Sequence, residues 1–343
     1  MNINEEISVD TKDLPELITD IIKAKLTPNI IGSPGIGKSD IVKQVANKFN
    51  LKLIDFRLSQ ADITDLNGFP TIENGRSIYA PPIDFPLEEY SLPEGKNGWL
   101  LFLDELNSAP LGVIAASYKI ILDRAVGQYN LHKHVAIVTA GNLATDKAIV
   151  NRQSTAMQSR LVHLKLKINP DHWIEWADEN DVDYRVKGFI QFRPELLHKF
   201  DPNHNDVTYA SPRTWAFLSK IINSWENISH NKLPIIAGTV GTGAAFEFTG
   251  FCKEYDKLPK FSDLINNPES IPISEEPSTL YAISSLIGSK TDKTNIEKLM
   301  KLINRLPTEF QVITLQSIVR ADKSMLKVEP IKIWKQTLAR DLL

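Results

Sequence analysis

The chain has 343 residues and a mass of 38.6 kDa, enough to bury a sizeable core and to form two domains with room for an appendage. Its formal charge is −3 and its pI is near 6.2, so it has no global pull towards nucleic acid or anionic membrane, although a local basic patch stays open. Cys252 is the single cysteine, which excludes intramolecular disulfides and multi-cysteine zinc sites and suits a reducing compartment.

The first residues, MNINEEISVDTKD, are acidic and polar, without the basic-then-apolar layout of a signal peptide. No apolar run approaches the roughly 20 residues that a membrane span needs, so a cytoplasmic protein is expected. LPELITDIIKAK (14–25) has helical spacing, with Asp13 as N-cap and Pro15 in the first turn. TPNII (27–31) reads as a strand and KSDIVKQVANKF (38–49) as an amphipathic helix, with LKLIDFRL (51–58) as a second buried strand. Residues 59–98 are rich in proline, glycine and acidic side chains, broken only by RSIYA as half of a hairpin. A segment so long and irregular inside a domain carries function or wraps a partner.

WLLFLDEL (99–106) is the most hydrophobic strand and ends in two carboxylates. A helix follows over 111–125, then the strand HVAIVTAGN (134–142). Beyond about residue 170 the alternation gives way to helical segments: DHWIEWADEN, GFIQFRPELLHKF, SPRTWAFLSKIINSW and TVGTGAAFEFTGFCKEY. A proline-rich acidic connector, 264–278, precedes a helical stretch to Leu343. The expected fold is an α/β domain over 1–168, with a parallel sheet between helices, then an all-helical domain over 169–260 and a connector with a helical tail over 261–343.

Between the first strand and its helix lies GSPGIGKS (32–39), that is Gly32, Ser33, Pro34, Gly35, Ile36, Gly37, Lys38 and Ser39. A glycine, four residues, then Gly-Lys-Ser between a strand and a helix is the pattern of a phosphate cradle. The N–H groups of Gly35, Ile36, Gly37 and Lys38 would face a β-phosphate at a helix N-terminus. Lys38 would reach the β- and γ-phosphates, and the Ser39 hydroxyl would ligate magnesium. Asp104 closes the apolar strand about 65 residues on, placed to hold the magnesium shell, and Glu105 can polarise an attacking water. A nucleoside triphosphate and Mg2+ are therefore the expected ligands. Asn142, at a strand end facing the same crevice, can reach the γ-phosphate or the water. Arg152 and Arg160 precede the next strand-like run. Arg213, at the second position of a helix opened by Ser211 and Pro212, is not placed to serve the helix dipole, so an anion would explain it.

GSPGIGKS, LFLDELN, TAGN, the SR before LVHL, and ASPRT together resemble the Walker A, Walker B, sensor 1, arginine-finger and sensor 2 elements of AAA+ ATPases. ADITDLNG, APPIDFP and LDELNSAP resemble more narrowly the MoxR-like, dynein-related branch, whose helix-2 insert would account for 59–98. Ser108 departs from that branch, where a basic residue is common, and the resemblance covers only about residues 15–250. The resemblance implies an ATPase acting as a homo-oligomer, a hexameric ring, with Arg160 or Arg152 completing the neighbour's site. It also implies a separate protein partner to be remodelled or matured, of a kind that can carry a von Willebrand A-type domain. The alternative is a nucleic-acid motor or loader on the same core, against which net charge and the lack of a recognition motif speak. A GTP switch would want N-K-x-D where the chain has TAGN. His132 and His134 lack a third ligand nearby, the tryptophans fall on core-facing helical positions, and Cys252 reads as a small buried hydrophobe.

Overall fold

A computed structural model describes residues 7–143, 151, 154–201 and 206–337. The chain divides into two compact units, residues 1–168 and 169–343.

The first unit is built on β1 (Val9–Asp10), α1 (Leu14–Lys23), β2 (Thr27–Ile31), α2 (Lys38–Lys48), β3 (Lys52–Arg57), α3 (Ile63–Asn67), a ribbon of β4 (Phe69–Glu73) and β5 (Arg76–Ala80), and β6 (Trp99–Asp104). There follow α4 (Leu111–Leu122), the two-residue strands β7 (Ala125–Val126) and β8 (Tyr129–Asn130), β9 (Val135–Gly141), α5 (Thr155–Gln158) and β10 (Leu161–Lys167). Six of these strands form one parallel sheet in the order β1-β10-β2-β9-β6-β3. This is a P-loop NTPase sheet sandwiched by helices.

The continuous apolar run of β6 is explained by burial on both faces. Leu100 and Phe102 pack with Ile41, Val42 and Val45 of α2, while Leu101 and Leu103 pack with Val113, Ile114 and Ile120 of α4. Phe102 is fully buried. Phe102→Ala is expected to cost about 3–5 kcal/mol in urea unfolding, since transfer energy and a cavity both count against it. A loss under about 1 kcal/mol would show that this layer repacks.

Local differences from the sequence expectations have local causes. Asp13 stands at the N-cap of α1, but its φ of −86° and ψ of −24° are already helical and its side chain caps nothing. The 59–98 segment is more ordered than its composition suggests: RSIYA pairs antiparallel with FPTIE, register Thr71 to Ile78. Pro70 is tolerated there because each strand of a two-stranded ribbon has a free edge. Phe69 and Ile72 of this ribbon are 70% and 79% exposed.

The second unit is helical: α6 (Pro170–Glu179), α7 (Tyr184–Phe192), α8 (Pro212–Ile222), α9 (Leu233–Val240), α10 (Thr242–Lys257), α11 (Phe261–Asn266), α12 (Pro277–Lys290), α13 (Ile296–Ile303), α14 (Thr308–Ala321) and α15 (Glu329–Thr337). α7 begins earlier than expected and stops before Pro194, which cannot continue a helix. Gly241, at φ 87°, breaks the expected single helix at TVGTG into α9 and α10. Residues 261–337 do not trail as a separate tail. α12 lies against α7 and α14, and Leu264, Ile283, Leu299 and Leu315 share one core with Tyr184 and Tyr255. Buried Asp178 of α6 accepts from Lys187 Nζ at 2.9 Å and from Ser317 Oγ of α14 at 2.8 Å, tying the late helices to the early ones. No described helix is long and apolar enough to cross a membrane.

Candidate functional site

The loops leaving β2, β9 and β6 emerge from neighbouring strands at their carboxyl ends, where an open parallel sheet presents its crevice. The glycine-rich loop follows β2. Gly35 and Gly37 have φ of 79° and 91°, in the left-handed region that glycine occupies without strain. Gly32 differs, since a Cβ there would sit 2.5 Å from Ile36 Cδ1 and 3.3 Å from Leu166 Cβ, and both side chains would have to shift. It lets the loop fold onto the sheet, whereas a Cβ at Gly37 would meet nothing within 4 Å. α2 starts at Lys38 with Gly37 as N-cap and no side-chain cap, so its first-turn N–H groups and partial positive charge face outward for an anion.

Lys38 is only 8% exposed. Its Nζ donates to Gly32 O at 2.6 Å, Ser33 O at 3.0 Å and Asn142 Oδ1 at 3.2 Å. The ammonium is thereby folded over the loop and linked directly to the strand-end asparagine. Ser39 Oγ donates to Asp104 Oδ2 at 3.1 Å, and Asp104 Oδ1 accepts from Glu105 N at 2.8 Å. A hydroxyl and a nearly buried carboxylate side by side are the oxygen donors a hard divalent cation selects, so this pair fits magnesium. The Asp55 carboxyl is held above the usual range, first by partial burial and then by the charge of Asp104, with Arg57 opposing.

Glu105 takes φ 58°, uncommon for a residue with a side chain, at the turn off β6. Fully buried Leu106 anchors that turn in the core. The Glu105 carboxylate accepts a hydrogen bond from the Ser59 hydroxyl, which restrains it. Asn142 donates through Nδ2 to Ser108 Oγ at 3.2 Å, so the small serine that departs from the resembled pattern has a place beside this asparagine. Asn107 also pairs with the Asn142 main chain. Sequence alone gives Ser59 no role, and Asn107 only a place at the end of LFLDELN. Each is a common loop residue, and only the fold brings it to the site.

The structure thus joins Gly32 to Ser39, Asp104, Glu105 and Asn142. It does not bring Arg160 to them. Arg160 is exposed, directly before β10, whose first residue Leu161 pairs with Thr27 at the start of β2. The phosphate loop lies at the opposite end of that strand pair. Arg160 Nη1 donates to Ala156 O at 2.9 Å. Arg152 lies outside the described residues. Arg213 belongs to the second unit, exposed at the start of α8, where Ser211 and Thr214 form a reciprocal capping box.

The remaining candidates are structural. His132 accepts at Nδ1 from His134 N, and its ring meets Trp99 edge-on at 5.1 Å. Among the described residues, no group of three or more His, Cys, Asp or Glu could hold a metal by itself. Trp215 is fully buried and donates to Leu196 O at 2.8 Å. Cys252 is buried, and that burial pushes its thiol far above the ordinary range, away from nucleophilic use.

No protein-family model and no curated protein matches the sequence. Among solved structures, the chain is similar to a point-mutant form of Thermotoga maritima RuvB, at 14% identity, over 85% of this chain and 88% of that one, TM-score 0.39. Another RuvB structure from the same organism, described as a Holliday junction branch migration motor, aligns at 15% identity over 85% and 86%, TM-score 0.37. A provisionally assigned ATPase of Cytophaga hutchinsonii aligns at 12% identity over 98% and 91%, TM-score 0.38. At such scores these likenesses stand beside the sheet order and add no weight to it.

Proposed function

We propose that the chain is a magnesium-dependent ATPase of the AAA+ type, MoxR-like, working as an oligomeric ring that couples hydrolysis to remodelling of a protein partner. One observation carries the ATPase reading: Lys38, Ser39, Asp104, Glu105 and Asn142 converge on adjoining strand ends, linked by hydrogen bonds. The loop N–H groups and Lys38 would hold the phosphates, and Ser39 with Asp104 would hold magnesium. Magnesium, when bound, offsets charge across the β- and γ-phosphate oxygens. Glu105 would draw a proton from the attacking water once its carboxylate leaves Ser59. Asn142, already against Lys38, would orient the γ-phosphate. The placement of Arg160 at the far end of the sheet supports a role at a neighbouring subunit's site. The exposed Phe69 and Ile72 on the β4–β5 ribbon support contact with another chain.

Glu105→Gln is the test. It keeps the shape and leaves Asp104 and Ser39 in place while removing the base, so ATP should bind and persist with turnover reduced about 10²–10⁴-fold. The trapped protein should also retain its partner in a pull-down. Turnover at the wild-type rate would show that another residue activates the water.

A further inference from the structure

We infer that Asn107 is a positioning residue: its side-chain amide clamps the main chain of Asn142, and so sets that asparagine for hydrolysis. This rests on the ATPase reading above. Asn142 N donates to Asn107 Oδ1 at 2.9 Å, and Asn107 Nδ2 donates to Asn142 O at 2.7 Å. One side chain thus satisfies both main-chain groups of one residue, as a neighbouring strand would. On the β6 side of β9, from which Asn107 comes, the paired register ends at Leu103 and Thr139. Beyond that point the Asn107 amide takes over. Its orientation is fixed, because exchanging its oxygen and nitrogen would set donor against donor and acceptor against acceptor.

A second feature bears on the same contact. A Cβ on Gly141 would lie 2.7 Å from Asn107 Oδ1 and 2.9 Å from its Cγ. The glycine of TAGN therefore admits the amide, and neither position is explained without the other. Asn107 is also tied to what precedes and follows it. Ser108 N donates to Glu105 O at 2.9 Å, closing the turn that carries the proposed base. Asn107 O accepts from Asn151 N at 2.7 Å, and Asn151 Nδ2 donates to Ala109 O at 2.8 Å. The clamp therefore couples the Glu105 turn to the Asn142 main chain, whose side chain meets Lys38. Displacement of a catalytic group by about an ångström can cost on the order of 10²-fold in rate.

Asn107→Asp has the same shape but sets an oxygen against the Asn142 carbonyl. It should lower kcat about 10–100-fold, with ATP affinity within about threefold of wild type and thermal melting little changed. In an Asn142→Ala background the same substitution should have almost no further effect on kcat, because the side chain being positioned is gone. Amide exchange provides a readout that does not depend on turnover: Asn107→Ala should strip protection from the Asn142 N–H. A wild-type enzyme that hydrolyses ATP while Asn107→Asp stays within about twofold of it would overturn the clamp's role alone. So would an equal loss with and without Asn142, or unchanged exchange at Asn142. A wild-type protein that binds no ATP would overturn the ATPase reading, and the clamp's role in hydrolysis with it.

Discussion

Lys38→Ala is expected to weaken ATP binding by roughly 10²–10⁴-fold, taking about 1.5–3 kcal/mol for each charge-assisted bond to two phosphates. The cation is pre-placed. Lys38 is buried at the first position of α2 and held by Gly32 O, Ser33 O and Asn142 Oδ1. An arriving phosphate would exchange with these neutral acceptors without an ordering cost for the side chain, which is why the effect falls on affinity. Lys38→Met, which keeps the aliphatic stem and removes the charge, should behave alike and controls for a collapsed loop. Calorimetry decides: unchanged ATP affinity in both variants, with the fold intact by circular dichroism, would remove Lys38 from the site.

How much of this was legible in the sequence differs from residue to residue. GSPGIGKS and WLLFLD carry their own chemistry, because a left-handed loop demands glycine and a strand buried on both faces demands an unbroken apolar run. The parallel order of the sheet follows once the crossovers are helical. β1 was not legible, since two residues, Val9 and Asp10, give no period to detect. The partner of RSIYA was hidden by Pro70, which argues against a strand unless the ribbon stands alone. Residues 261–337 looked like a tail because their connector is rich in proline, but α12 packs on α7, α14 packs on α12 and α6, and the apolar side chains of α13 join the same core. Ser59 and Asn107 illustrate a further limit. A hydroxyl or an amide in a loop has no signature, and its role appears only when the strands bring Glu105 and Asn142 beside it.

The assembly prediction carries the larger consequence. Arg160→Ala should bind ATP nearly normally and hydrolyse it about 10³–10⁵-fold more slowly, the range found where such transition-state contacts have been isolated. The geometry gives the reason to look outside its own subunit. Leu161 pairs with Thr27 and Lys165 with Ile31, so β10 carries the chain about 13 Å from Arg160's end of the sheet before it reaches the level of the phosphate loop. Arg160 is exposed at that far end, with its guanidinium donating to the Ala156 carbonyl. Buried Met157 and the Ser154 cap hold the short helix that precedes it, so the side chain is displayed from a fixed base. On the proposed function, an arginine so placed would serve a nucleotide held by another copy. Mixing Arg160→Ala with Glu105→Gln makes the diagnosis, because some interfaces then pair an intact Glu105 from one copy with an intact Arg160 from the next. Activity in the mixture well above the sum of the two variants alone is the expected result. Specific activity that is independent of protein concentration, with a monomeric mass in ATP, would sink the trans-acting role. Full activity of Arg160→Ala within an oligomer would instead move the assignment to Arg152.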